Sequence, residues 1–262
     1  MENENFLQRR ENMIKGIFFD LGWTIFRPVN DNWFINQKML EFTSMQTIES
    51  LPLEKRNAAF NKALKYLDDN HLLFSEEEEI EQFAEFYKIV ADELPELGIS
   101  VEQAAEIAEF KVADTSNFIF YDKAKETVLE LKEKYKIGII SDTWPSAERI
   151  LKSGGMDNLF DTKTYSCNLG TWKPNEKMYF HALEQMGLPP EQTVFVDDWE
   201  PNLDGAAVCG IHGILIKSRN NSIIPGQRFS ENIIDIGKYP SINAIDELPN
   251  LLTSKQFELK KR

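Results

Sequence analysis

Residues 14–24 read IKGIFFDLGWT. Ile14, Ile17, Phe18 and Phe19 form a short apolar run that stops at Asp20. A run of that length, without helical or alternating periodicity, predicts a strand buried on both faces. Such strands belong to parallel sheets covered by helices. Gly22 and Pro28 then punctuate a loop. The same figure recurs twice downstream: an apolar run at 137–140 ends at Ser141 and Asp142, and another at 193–196 ends at Asp197 and Asp198. One aspartate after a strand is weak evidence, because Asp is also a common turn and N-cap residue. Several at successive strand ends carry more weight, since open parallel sheets bind ligands at the carboxyl ends of their strands.

Outward from these runs, helical patterns alternate with strands. Ala124, Val128, Leu131 and Tyr135 mark an amphipathic helix, and further helices are expected at 146–152, 175–186 and 244–251. Additional strands are expected at 164–167, 213–216 and, weakly, 233–236. The alternation predicts an α/β fold with a parallel sheet. From Trp33 to Ala113 the pattern is helical almost throughout, with Phe60, Leu64 and Leu67 on one face and Ile80, Phe83, Ala84 and Tyr87 on another. Ser100 and Gln103 form a capping-box signature. The four glutamates at 76–79 read as an acidic first helical turn, which the helix dipole favours. A helical block is thus inserted after the first strand, and the tail at 255–262 is expected to fray.

Composition limits the function. The 262 residues carry 43 acidic and 29 basic side chains, a net charge of −14, with 42% hydrophobic and 27% charged residues. That is ordinary globular composition. The acidic balance argues against nucleic acid and against an anionic membrane surface. It leaves room for an anionic small molecule at one local cationic site. No apolar stretch is long enough to span a bilayer, and the polar residues 1–12 do not resemble a secretory signal. Cys167 and Cys209 lie in no CxxC and are expected to be small buried hydrophobes in a reducing compartment. A cytoplasmic location is the expectation.

Lys173, in Gly170-Thr171-Trp172-Lys173-Pro174, is the cation that would make a carboxylate cluster tolerable and attract an anion. Carboxylates with a lysine suit Mg²⁺ and a substrate phosphate, and a carboxylate can itself attack phosphorus. With these residues assembled, the chain resembles the haloacid dehalogenase (HAD) superfamily with a helical cap of the first class. Four motifs carry the resemblance: Phe18 to Thr24; Ile139-Ile140-Ser141-Asp142-Thr143; Lys173-Pro174, followed by a helix with Tyr179, Ala182 and Leu183; and Phe195-Val196-Asp197-Asp198, continuing through Asn202, Gly205, Ala206 and Gly210. They stand in family order across residues 13–252, and the likeness is weakest in the cap.

The resemblance implies a Rossmannoid parallel sheet with an inserted α-helical cap domain: a core at 12–26 and 118–252, a cap at 27–117 and a tail at 253–262. It implies that Asp20 is the nucleophile, that Ser141 hydrogen-bonds the transferred phosphoryl group, and that Lys173 neutralises nucleophile and phosphate. Asp20, Asp198 and the backbone carbonyl of Gly22 would hold Mg²⁺, with Asp197 a direct or water-mediated helper. Ser141, Asp142 and Lys173 would bind substrate, expected to be a small phosphorylated metabolite such as a sugar phosphate.

One departure stands out. Most HAD phosphatases place an acid/base Asp two residues after the nucleophile, and here that position is Gly22. Phosphatases with the same Asp-Leu-Gly arrangement, including sugar-phosphate phosphatases, exist in the family. Haloacid dehalogenases also lack the acid, but have Ser and Asn where this chain keeps Asp197 and Asp198. Three readings therefore stay open: a Mg²⁺-dependent phosphatase, a non-catalytic phosphate-ligand-binding regulator, and a dehalogenase. Among lesser candidates, Asp142 is either a supporting group or the displaced acid/base. Trp23 and Trp33 line a pocket or pack a hinge, and Arg27, Asp31 and Asn32 are placed to touch a leaving group. Gly205 and Gly210 are expected to serve close packing and a turn.

Overall fold

The computed structural model describes residues 13–218 and 237–254. The polar stretch 1–12, the weak strand expected at 233–236 and the tail 255–262 lie outside the described residues. Six strands form one parallel sheet in the order β5-β4-β1-β6-β7-β8. They are β1 (Gly16–Phe19), β4 (Lys136–Ser141), β5 (Thr162–Tyr165), β6 (Thr193–Asp197), β7 (His212–Ile216) and β8 (Ser241–Ile242). β1 is central, pairing with β4 on one side and β6 on the other, so that Phe18 lies opposite Gly138 and Phe195. All four residues of β1 are buried, as its unbroken apolar run requires.

The pleat sorts alternate side chains to opposite faces. Ile17, Phe19, Ile137, Ile139, Val194 and Val196 enter one core cluster, whereas Phe18, Ile140 and Phe195 enter another. Helices α6 (Ala124–Lys132), α7 (Ala147–Ser153) and α11 (Leu248–Thr253) cover the first face; α9 (Glu176–Met186) and α10 (Glu200–Val208) cover the second. Gly138 leaves the space that Phe18 fills, since a Cβ there would come within 2.8 Å of the Phe18 ring.

The inserted segment contains α1 (Gln37–Phe42), α2 (Met45–Ser50), α3 (Leu53–Asp69), α4 (Glu76–Glu93) and α5 (Val101–Ala113), packed round their own cluster of Phe60, Phe83, Phe86, Tyr87, Val90 and Ile107 with their neighbours. Ser75 caps α4, and both halves of the Ser100–Gln103 capping box are present on α5. The buried stripe of α4 runs through Phe83, Phe86, Tyr87 and Val90; Ile80 and Ala84 stand at its margin. Where the chain enters and leaves this block, β2 (Phe26–Pro28) and β3 (Phe118–Phe120) pair antiparallel.

Other differences from the sequence reading are local. The strand expected at 164–167 runs from Thr162 to Tyr165, and Ser166 and Cys167 open the one-turn helix α8 (Ser166–Leu169). The last helix begins as a 3-10 turn at Ile245–Glu247. Gly205 packs against Pro174 and Tyr179, and Gly210 sits in a turn at φ +86°. Both cysteines are buried and free. No described helix is long and apolar enough to cross a membrane.

Candidate active site

Three neighbouring strands, β4, β1 and β6, point their carboxyl ends at one place. Asp20 follows β1, Ser141 ends β4, and Asp197 ends β6 with Asp198 next in sequence. Sheet order therefore joins motifs that are far apart in the chain. Asp20 is anchored by its backbone N–H, which donates to Val196 O at 2.9 Å. Asp20, Asp197 and Asp198 are all buried, and each offers a carboxylate oxygen within 4.8 Å of the others.

Lys173 enters from the loop between α8 and α9. Its backbone N–H donates to Asp142 Oδ1 at 2.9 Å. Its ammonium donates to Asp20 Oδ1 and Asp197 Oδ2, each at 2.7 Å, and to Ile140 O at 3.3 Å. An ammonium is tolerable in such a buried place only when its donors are matched in this way. Burial opposes its charge, but Asp197 and Asp20 outweigh burial and hold the Lys173 pKa well above its ordinary value. Burial pushes the Asp20 carboxyl upward; Lys173 and a hydrogen bond from Ser141 pull it back. Asp142, half-buried, is pushed up to about 7 by desolvation.

Asp197 is the most committed of the three carboxylates. Besides Lys173, it accepts from Trp199 N at 2.8 Å and from Asn202 Nδ2 at 3.0 and 3.1 Å. The Asn202 Oδ1 behind this contact is buried and accepts no hydrogen bond among the described residues. Three buried carboxylates facing one ammonium, beside an orphaned amide oxygen, suit a hard divalent cation with its water shell.

These groups form one end of a cavity of about 140 Å³. Asp20, Gly22, Ser141, Asp142, Lys173 and Asp198 line it, and Asp197 lies beneath with no exposed surface. The chain has five tryptophans, and all of them, Trp23, Trp33, Trp144, Trp172 and Trp199, line this cavity. Gly22 has an ordinary backbone conformation, but a Cβ on it would meet the Trp33 ring at 2.9 Å. Indole thus occupies the side on which a residue at position 22 would project. Arg27, Asp31 and Asn32 do not line the cavity. Arg27 pairs with Asp31 at 2.8 Å, and Asn32 Oδ1 accepts from the Phe34 and Ile35 N–H groups.

The far wall comes from the helical block. Glu79, in the acidic first turn of α4, accepts from the Ser146 N–H and hydroxyl, both at 2.7 Å. Burial pushes its pKa up to about 7. Glu76 pairs with Arg149, and Gln82 accepts from Trp144 Nε1 at 2.8 Å. The four glutamates are therefore more than a dipole-favoured turn: two of them tie α4 to α7 and the loop before it. Lys111 of α5 also reaches this wall. Sequence reasoning missed Glu79, Lys111 and Trp144. A usable signal existed for the indoles, because Trp23, Trp144, Trp172 and Trp199 each stand within three residues of Asp20, Asp142, Lys173 or Asp198. Among the histidines, His71 is buried against Ser166 Oγ at 2.7 Å and stacks on Trp172.

Comparison with known proteins places the chain and its fold. Residues 14–210 match the family described as haloacid dehalogenase-like hydrolase. The chain is 28% identical over 134 residues to a glyceraldehyde 3-phosphate phosphatase of Methanothermobacter thermautotrophicus, covering 49% of this chain and 58% of that one. A glyceraldehyde 3-phosphate phosphatase of Methanocaldococcus jannaschii is 26% identical over 203 residues, covering 71% and 77%. The fold is that of the 2-haloacid dehalogenase from Pseudomonas syringae pv. Tomato DC3000, with a TM-score of 0.60 at 16% identity over 92% of this chain and 98% of that one.

Proposed function

The chain belongs to the haloacid dehalogenase-like hydrolases, and we propose that within them it is a Mg²⁺-dependent phosphatase acting on a small phosphomonoester through a phosphoaspartate. The observation that carries this reading is Lys173 held at 2.7 Å from both Asp20 and Asp197, with Asp198 at the same end of the cavity. A dehalogenase needs no such surplus of carboxylates; a phosphoryl group held with a divalent cation does.

Asp20 and Asp198 would hold the ion directly, with the Gly22 carbonyl, while Asp197 acts through water because protein donors already occupy its oxygens. When bound, Mg²⁺ neutralises phosphoryl oxygens and fixes their orientation. The chain's own residues do the rest. Lys173 fixes Asp20 Oδ1 and adds positive charge where negative charge develops. Ser141 donates to a phosphoryl oxygen. The Asp20 carboxylate attacks phosphorus, the bond to the ester oxygen breaks, and that oxygen leaves with the electron pair. Water then attacks the phosphoaspartate, releasing phosphate and restoring the carboxylate. Position 22 supplies no proton to the leaving oxygen. Asp142, poised near 7, is the titratable group closest in sequence to the phosphoryl-binding Ser141. The helical block at 27–117 acts as a cap, held to the core by Glu79, Glu76 and Gln82, and excludes water during transfer.

Phosphate release from a panel of esters, with Mg²⁺ and with EDTA, tests the reading. Mg²⁺-dependent release supports it. Halide release from 2-haloacids in EDTA would establish the dehalogenase instead, and binding of phosphate esters without turnover would establish a regulator.

A further inference from the structure

Lys111 is only 8% exposed. Its ammonium makes no hydrogen bond and no ion pair among the described residues. It lies over the faces of Phe83 at 4.5 Å and Trp144 at 5.9 Å. Ring faces attract a cation but accept no hydrogen bond of ordinary strength. Glu79, on the same wall, spends one hydrogen bond of each oxygen on Ser146 and acts on Lys111 only through its charge, which offsets part of the cost of burial. On its other side Lys111 borders a second cavity, where Asn32 and Asn36 have their side-chain oxygens turned to backbone N–H groups. A nearly buried cation without an acceptor is costly unless something else supplies one.

The body of the cavity, between Lys111 and the carboxylate end, is walled by indole and phenyl rings. Trp33 packs against Trp23 and Phe118 at 6.1 and 6.0 Å, and Trp144 against Trp172 at 5.5 Å. Such walls give a polyol nothing in exchange for its lost water. The whole cavity measures about 140 Å³, and an apolar cavity of roughly 150 Å³ takes a single benzene, so one ring is the upper limit for the body between the two ends.

We propose that Lys111 is the specificity-determining cation of this cavity, and that the substrate is a phosphomonoester whose leaving group is a flat apolar body no larger than one ring, ending in a carboxylate. The phosphoryl group lies at Asp20 and Lys173, the ring between the indoles, and the carboxylate on Lys111. This rests on the phosphatase reading for turnover but not for binding, so the two are tested separately.

Binding is measured by titration calorimetry of the full chain in Mg²⁺ buffer, comparing 4-(phosphonomethyl)benzoate with its uncharged carboxamide counterpart. The benzoate should bind at least about tenfold tighter. Lys111→Met, which keeps length and apolarity, should bring the ratio close to one, and Lys111→Arg should restore part of it. Turnover is measured with 4-carboxyphenyl, 4-carbamoylphenyl and glycerol phosphates, with the carboxylate ester leading in kcat/KM. Equal affinity of the unmodified protein for benzoate and carboxamide overturns the assignment, even if Lys111→Met fails to fold. So does a preference for glycerol phosphate. Preferential benzoate binding with no hydrolysis of any ester would overturn the phosphatase reading and leave the Lys111 assignment standing.

Discussion

The two ends of the cavity are built on opposite principles. At the core end, Lys173 reaches from a loop to within 2.7 Å of both Asp20 and Asp197, which stand at the ends of adjoining strands. At the cap end, Glu79 is hydrogen-bonded to Ser146, Lys111 lies over ring faces with only the charge of Glu79 to offset its burial, and helices rather than a sheet carry both. A sheet fixes its strand ends through rows of ladder hydrogen bonds, so the core end is preorganised for one chemistry. Helices joined to that core by a few side-chain contacts can be altered face by face, so the cap end is free to select. On the proposed function, the contrast separates what reacts from what is chosen.

The most severe way to break the contrast is at the core end. Asp20→Asn keeps the size of the side chain but removes its charge and nucleophilicity, so phosphatase kcat should fall by several orders of magnitude while circular dichroism and melting remain those of a folded protein. Near-normal turnover would remove Asp20 from its role. Next in size, Asp198→Ala should match the loss seen on adding EDTA, and Mg²⁺ should restore only the unmodified protein. Isothermal titration with Mg²⁺ reads this without turnover: weaker binding in the variant is expected, and unchanged affinity would place the metal elsewhere.

A middle-sized effect concerns Gly22, where the two ends meet. General acid catalysis contributes about 10²–10⁴-fold, so rates should depend steeply on leaving-group pKa while phosphoryl transfer limits turnover. The Trp33 ring stands 2.9 Å from where a Cβ at position 22 would be. Gly22→Asp alone should therefore disturb the site, whereas Gly22→Asp with Trp33→Ala should flatten the dependence. A flat line in the unmodified protein would show that another group, with Asp142 the first to test, already supplies the proton.

The core end was legible because its signals are local. A short apolar run closing on Asp20, repeated at Asp142 and Asp197, needs no tertiary information to be read. The strand order that unites them is not written in any one run, but family order supplied it. The cap end was opaque for the opposite reason. Glu79 meets Ser146 across 67 residues, and Lys111 looks like any helix lysine until the helix is packed. The ribbon of Phe26–Pro28 with Phe118–Phe120 has three residues a side, too few for alternation to show. Arg27 and Asp31 looked like substrate contacts because they follow the motif, yet they satisfy each other.

The smallest effect sharpens the description of the cap end. Glu79 has a folded-state pKa near 7 against an ordinary 4.5. The folded protein keeps a proton that the unfolded chain has lost, so this contribution to stability is complete below about 4.5 and disappears as pH rises to 7. Its ceiling is on the order of 3 kcal/mol. Lys111, lowered by burial to about 8 from 10.5, acts in a separate window: its cost is present below 8 and is relieved as pH rises towards 10.5. Glu79→Gln should reduce the fall in melting temperature between pH 5 and 7 by a few degrees. An unchanged slope would mean that Glu79 stays ionised against Ser146.

Since every tryptophan of the chain belongs to the cavity wall, red-edge ultraviolet excitation, which tyrosine does not absorb, addresses that wall alone. The emission spectrum of the whole protein is then a report on one place. A ligand slipping between the indoles, or the helical block lifting away from α7, must change the colour or yield of essentially all the light, with no constant background from a distant core. The molecule carries its own optical gauge of occupancy, and stopped-flow traces of that signal can time arrival, closure and departure without a label.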